Sequence, residues 1–285
     1  VVTCHESDQV IREIAFALKL AQADRKGPCI VDIPIDLQAA RLPRDSVESI
    51  LESALKLEAA ECLGLNSECL NQILHALRHA KAPLLWLGNG LRRLSPETLQ
   101  ALIKDLGIPY LTSWTATDLL SPLQGLYAGH AGTYGGRAAN LILQSCDVLI
   151  TLGTRLAIPQ KGYVDHELAR RAKVFVVDCD PLELDKLGPR FDTKFLADAP
   201  TVMCQLHTSL RQSVPLTIKP WLDHLIKVRA ELPLVEACHD NDSWVDSYSF
   251  MAALGRAAGS DASFVTDMGT ALISGFQVLE PSDGQ

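Results

Sequence analysis

Apolar residues recur along the chain with two periods, and the two alternate. Val10, Ile11, Ile14, Ala15, Leu18 and Ala21 fall on one face at helical spacing and predict a helix from Asp8 to Ala23. The charge, glycine and proline of Asp24 to Pro28 end it. Cys29 to Ile33 is a short apolar run rich in β-branched residues and closed by Pro34, the pattern of a strand buried in a parallel sheet. Residues 43 to 65 keep helical periodicity with mixed charge and no strand, which makes them a connector. From there, helices at Ser67–Ala80, Pro96–Leu106, Arg137–Ser145, Asp165–Ala172 and Ala199–Leu210 alternate with strands at Leu84–Leu87, Tyr110–Thr112, Val148–Leu152 and Val174–Val177. This βα repetition predicts an α/β domain over residues 66 to 212, its parallel sheet covered on both faces. A turn-like stretch, Pro215 to Pro220, opens a second connector reaching residue 245, with a helix at Trp221–Ala230. A third α/β segment then starts with a helix at Tyr248–Ala258, a strand at Phe264–Asp267 and a helix at Thr270–Leu279.

Composition narrows the function classes. With 285 residues, 47% apolar and 21% charged, there is material for more than one packed core. A net charge of -8 and a pI near 5.5, with no basic run, exclude a reader of the nucleic-acid backbone. The longest apolar stretches fall far short of the roughly 20 residues that a membrane helix needs, so no membrane partner is expected. The eight cysteines, Cys4, Cys29, Cys62, Cys69, Cys146, Cys179, Cys204 and Cys238, form no CxxC pair and read as buried, inert thiols in a reducing, cytoplasmic setting. His75 and His79 lie four apart on an ordinary amphipathic helix and read as surface residues, so no metal site is expected.

Candidate chemistry gathers where strands end. Ligands of open α/β sheets sit at the carboxyl edges of the strands. There the sequence places Gly88, Asn89 and Gly90 after the first central strand, Thr112 and Ser113 after the second, and a glycine-rich stretch of His130, Gly132, Thr133, Gly135 and Gly136 before the next helix. Gly153, Thr154 and Arg155 follow the third strand, and Asp178, Cys179 and Asp180 the fourth. Glycines let backbone N–H groups approach a phosphate, a helix N-terminus favours an anion, and a late acidic residue can accept from ribose hydroxyls. Each position also has a plain reading. Gly-Asn-Gly is equally a tight turn, and Arg155 is as readily a surface ion pair as a phosphate clamp. The stretch Asp267, Met268, Gly269, Thr270, Ala271 forms an acidic turn, a glycine and a helix start, either a diphosphate cradle or a βα turn capped by Asp267.

The order of the parts says more than any one of them. RKGPCIVDIPIDLQ (Arg25 to Gln38), PLLWLGNG (Pro83 to Gly90), GHAGTYGGRAANLILQSCDVLITLGTRL (Gly129 to Leu156), VFVVDCDPLELDKL (Val174 to Leu187) and SFVTDMGTALISGFQ (Ser263 to Gln277) together resemble the thiamine-diphosphate-dependent acetolactate synthase family over nearly the whole chain. The resemblance implies a Rossmann-like central domain flanked by truncated pyrimidine-binding and diphosphate-binding α/β domains, with residues 1–42 ending the first and residues 246–285 opening the second. It implies thiamine diphosphate with Mg²⁺, a small 2-oxo acid substrate and a homodimer or homotetramer. The chemistry it implies is attack by the thiazolium carbon on the 2-oxo acid, the cofactor taking up electrons as carbon dioxide leaves. Asp267, Met268, Gly269, Thr270 and Ala271 would lie near the diphosphate.

Two departures matter. The Arg-Phe-Asp-Asp stretch associated with FAD in acetolactate synthases is replaced by Gly153, Thr154, Arg155, Leu156, Ala157, Ile158, which weighs against FAD in the central domain. The aromatic and histidine-bearing helix start is replaced by Thr270, Ala271, Leu272, closer to acetolactate-synthase-like proteins of polysaccharide gene clusters. Both termini read as cuts. The activating glutamate would lie upstream and the Gly-Asp-Gly metal motif downstream, which would leave the segment inactive alone and its catalytic residues outside it. Two other function classes stay open from the residues: a nucleotide-binding oxidoreductase using the central crevice, and a non-catalytic binding or scaffold protein.

Overall fold

The computed structural model describes residues 1–22, 27–55, 63–191, 193–212, 215–239, 243–259 and 261–279. Most of the first predicted turn, and Cys62, lie outside the described residues. The chain forms two compact bodies, Val1–Cys62 and Leu63–Gln285.

In the first body, β1 (Val2–Thr3) pairs in parallel with β2 (Val31–Asp32). They are joined by α1 (Ser7–Gln22), and α2 (Ile35–Gln38) and α3 (Arg44–Leu55) follow. Residues 43 to 55 were expected to be connector. As α3 they pack along α1 and so belong to the first body.

The second body runs α4 (Ser67–His79), β3 (Pro83–Leu87), α5 (Pro96–Leu106), β4 (Tyr110–Thr112), β5 (Tyr127–Gly129), α6 (Arg137–Ser145), β6 (Val148–Leu152), α7 (Ile158–Lys161), β7 (Lys173–Asp178), α8 (Pro181–Asp185), β8 (Thr193–Leu196), α9 (Ala199–Arg211), α10 (Lys219–Glu231), α11 (Ser247–Ala257) and α12 (Thr270–Val278). β3 to β8 form one parallel sheet of six strands in the order β5-β4-β3-β6-β7-β8. From β3 the chain steps outward to β4 and β5, returns to lay β6 beside β3, and steps the other way to β7 and β8. The topological switch point thus falls between β3 and β6, which pair from Pro83↔Val148 to Leu87↔Leu152.

The alternation of side chains along each strand builds two cores. Leu85, Leu87, Ile150, Leu152, Phe175 and Val177 face one layer, with α4, α5 and α9 over them. Leu84, Trp86, Leu149, Val174 and Val176 face the other, covered by α6 and α10. The covering helices are locally well specified. Asn66, Ser95 and Asp198 accept from the first-turn amides of α4, α5 and α9, and Gly107 closes α5 in the left-handed conformation.

Four further expectations change. α10 lies in the second connector as read from sequence, yet Trp221, Leu225 and Val228 are buried in the second core, and Trp221 Nε1 donates to Pro83 O at 2.9 Å, so the helix is part of the central body. The helix expected over Asp165–Ala172 is only a 3-10 turn at Asp165–Glu167. Ala169 sits at φ 43°, and Arg190 donates to both Ala169 O and Ala172 O, so remote donors replace the helical ladder. Residues 264–267 form no regular element and pair with no strand among the described residues. The cysteines are not uniformly buried: Cys4 and Cys146 are, whereas Cys29, Cys204 and Cys238 are exposed. Burial, with Asp147 beside it, pushes the Cys146 thiol up to about 12.

Trp221 therefore joins α10 to the sheet by both packing and a hydrogen bond. Trp221→Ala is expected to cost about 3–5 kcal/mol of unfolding free energy, and Trp221→Phe clearly less. Urea denaturation measures both; an alanine cost below about 1 kcal/mol would remove α10 from the core.

Candidate functional site

The carboxyl ends of the six strands collect the central candidates along one edge, and their local bonding shows what each is doing. At the switch point the two loops meet closely. Gly88 N donates to Leu152 O at 2.9 Å and Gly90 N to Gly153 O at 3.0 Å. A Cβ on Gly88 would lie 2.1 Å from Gly153 O, so the glycine is required by backbone approaching backbone. The amides read as phosphate donors are thus spent on the neighbouring loop. Asn89 Oδ1 accepts from Arg92 Nε at 2.7 Å, and Arg92 forms a two-pronged pair with Asp118 at 2.8 and 2.6 Å. That guanidinium holds the Asp118 carboxyl below its usual range.

The remaining edge is similarly self-bonded. Thr154 Oγ1 accepts from Gln160 Nε2 at 2.7 Å. Arg155 turns to Glu183, with Nε to Oε1 at 2.9 Å, and Lys186 pairs with the same carboxylate. Of the two readings of Arg155, the arrangement is the ion pair. Asp178 Oδ1 accepts from Asp180 N, and Asp180 caps α8 through Leu182 N. In the glycine-rich stretch, Gly132 N goes to Asn140 Oδ1, Thr133 N to Pro159 O and Gly136 N to His130 O, all within 2.9 Å. His130 is buried between Thr112 and Tyr127: Nδ1 lies 3.1 Å from Thr112 O and 3.0 Å from Thr112 Oγ1, and Nε2 3.0 Å from the Tyr127 hydroxyl. Desolvation pushes this imidazole down to about 4, so at neutral pH it is uncharged, with Nδ1 as donor to Thr112 O and Nε2 as acceptor from the tyrosine. His75 and His79 are exposed as expected. No group of three or more His, Cys, Asp or Glu able to hold a metal occurs among the described residues.

The C-terminal candidate differs from the central ones. Gly269, at φ 128° and ψ -156°, takes a conformation open essentially to glycine and forms the N-cap of α12 with no side-chain cap. The first amides of an α-helix have no intrahelical acceptor, which leaves those of Thr270, Ala271 and Leu272 without a helical partner, and Thr270 and Ala271 are exposed residues. Asp267 Oδ1 accepts from Met268 N at 2.7 Å. Backbone donors at the positive end of a helix suit an anionic diphosphate. Aromatic residues that sequence reasoning did not single out accompany α12. Trp114, after β4, lies against both Phe276 and Tyr134. Their signal, lone aromatics in loops far apart in sequence, becomes visible only once the fold brings the loops together.

Comparison with known proteins agrees with this architecture. Residues 70–206 match the model of the thiamine pyrophosphate enzyme central domain, and that span runs from α4 to α9. The similarity does not stop at the sheet. The chain is 30% identical over 266 residues to acetolactate synthase of Mycobacterium bovis, covering 92% of this chain and 42% of that protein. Residues 70–206 carry the central domain of the thiamine pyrophosphate enzyme family. Acetolactate synthase isozyme 1 large subunit of Escherichia coli K12 is 28% identical over 264 residues, with 92% of this chain and 44% of that protein covered. A probable acetolactate synthase large subunit of Methanococcus aeolicus is 30% identical over 194 residues, covering 66% and 31%. The chain thus spans about two fifths of the length of the first two of these curated relatives. The six-stranded sheet and the helices over it within residues 70–206 match that family's central domain, and the family implies thiamine diphosphate as cofactor. No described helix is long and apolar enough to cross a membrane.

The buried His130 gives the central domain a pH-dependent stability. The unfolded imidazole takes up a proton near pH 6.5, whereas the folded one resists until about 4. Between those values the unfolded state binds more protons, so stability falls as pH drops. From pH 7 to pH 5 the loss assigned to His130 is on the order of 2 kcal/mol. The carboxyls of Asp105 and Asp118, held low by His207 and Arg92, titrate below this window. Urea midpoints at the two pH values should therefore separate for the natural protein and converge in His130→Gln. An equal pH effect in both would show that the histidine is not buried neutral.

Proposed function

We propose that the full-length protein is a thiamine-diphosphate-dependent transferase or lyase of the acetolactate-synthase-like kind, a carboligase or decarboxylase acting on a small 2-oxo acid. The observation that carries this reading is the similarity to acetolactate synthases along 92% of the chain, running beyond the central domain on both sides. The bound cofactor would supply a carbon nucleophile and an electron sink for decarboxylation.

This chain's own part lies at the turn before α12. Asp267, Met268, Gly269, Thr270 and Ala271 would hold the diphosphate, the amides of Thr270 and Ala271 donating and the helix end favouring its charge. Mg²⁺ is proposed as the companion ion. The other reacting groups are proposed to come from segments that the longer relatives contain. A homodimer or homotetramer and a cytoplasmic setting go with the reading. FAD is not part of it, because Gly88, Gly90 and Arg155 spend their donors, and Thr154 Oγ1 accepts from Gln160, within the central domain. The same engagement disfavours an oxidoreductase built on that crevice.

Calorimetry of the full-length protein with thiamine diphosphate and Mg²⁺ should show saturable heat, and carbon dioxide should be released from at least one small 2-oxo acid. Gly269→Ala should weaken cofactor binding about fivefold or more, because a Cβ there strains the turn by about 1–3 kcal/mol. No heat and no carbon dioxide from any 2-oxo acid would sink the function; unchanged affinity in Gly269→Ala would sink the turn assignment alone.

A further inference from the structure

α12 is held at the end away from its proposed ligand. Phe276 stacks on Trp114 with ring centroids 5.5 Å apart and planes 13° from parallel, and Trp114 packs in turn against Tyr134 at 5.7 Å. Gln277 Nε2 donates to Tyr134 O at 2.6 Å. Trp114 starts the short 3-10 turn after β4, and Tyr134 lies in the loop between β5 and α6. Two loops of the central sheet's carboxyl edge therefore grip one helix. The loops are themselves fixed: Thr117 Oγ1 donates to Trp114 O, and the stretch around Tyr134 is bonded through Gly132 to Asn140 of α6.

The helix transmits that grip. α12 has 9 residues, and Thr270 lies about 9 Å from Phe276 along the axis at the usual helical rise. So short a helix behaves as a rod, and the orientation of its first-turn amides follows from where its other end is docked. On a different side α12 meets α11, where Ser274 and Gly275 are buried and Gly275 approaches Met251. That contact sets the spacing between the helices, whereas the aromatic group ties α12 to the sheet. α11 reaches the central domain separately, through Ser249 Oγ to His239 O and the Arg137–Glu236 ion pair before it.

We propose that Trp114, Tyr134 and Phe276 form an aromatic clasp by which the central domain positions the Asp267–Ala271 turn for thiamine diphosphate. They are positioning residues, since they act through α12 and lie away from the ligand. The inference rests on the proposed cofactor reading and gives the central domain an active part in it.

The test measures the dissociation constant of thiamine diphosphate, with Mg²⁺ saturating, on full-length protein. Phe276→Ala and Trp114→Ala are expected to weaken binding about five- to tenfold, the loss of one aromatic pair. Trp114→Phe, which keeps a stacking face, is expected to bind within about twofold of the natural protein. Urea midpoints without cofactor serve as the fold control. Should the alanine variants fail to fold, Phe276→Leu, which keeps apolar bulk without the stacked plane, carries the test with weaker binding expected. Natural-protein binding with unchanged affinity in Phe276→Ala, Trp114→Ala and Phe276→Leu would overturn the clasp and leave the cofactor reading standing. Failure of Trp114→Phe to recover affinity would also overturn it. No binding by the natural protein would overturn both.

Discussion

The parallel pairing of β3 with β6 is the constraint on which the second body depends. It joins the two halves of the chain's path across the sheet, and each half leaves it in the opposite direction. Its five residue pairs are buried on both strands, and the two core layers meet the sheet there through alternating side chains. The loops beyond it continue the contact, Gly88 and Gly90 donating to Leu152 O and Gly153 O. That continuation converts a place where open α/β sheets receive ligands into a backbone seam. The same seam engages the switch-point amides within the domain, while the outer loops at Trp114 and Tyr134 contact α12.

Much of the central fold is legible in the sequence because its inner strands must be apolar on both faces. β6 stands out to the residue, a run bounded by Asp147 and Gly153, and α5 is announced by Ser95, Pro96 and Gly107. What escapes is whatever depends on a partner remote in sequence. β5 and β8 lie at the two edges of the sheet, need only one neighbour, and carry too short an apolar signal. Lys194 and Thr193 even make β8 read as loop. The false helix at Asp165–Ala172 has plausible periodicity, but the carbonyls of Ala169 and Ala172 are satisfied by Arg190, a donor that no local pattern displays. Residues 264–267 carry strand-forming side chains without a ladder to join among the described residues, and a strand needs its ladder.

The site was legible in position and less so in role. Strand ends, glycines and Arg155 lie along one edge of the sheet, yet their residue types cannot say whether a donor meets a ligand or another part of the protein. Glu183, Gln160 and Asn140 answer that question, and each comes from an element other than the residue it engages. The turn at Gly269 is the opposite case: a glycine conformation and a helix start with no side-chain cap leave the first-turn donors without an intrahelical acceptor. Both observations favour the proposed relocation of the chemistry from the central crevice to the C-terminal segment.

That relocation is tested most directly by hydrogen exchange on the full-length protein with and without thiamine diphosphate and Mg²⁺. The account predicts added protection confined to the amides of Thr270, Ala271 and Leu272 and their surroundings, with those of Gly88, Gly90 and Gly153 already slow and unchanged. Protection appearing instead at Gly88 to Gly90 and Gly153 to Arg155, with none at the start of α12, would contradict it.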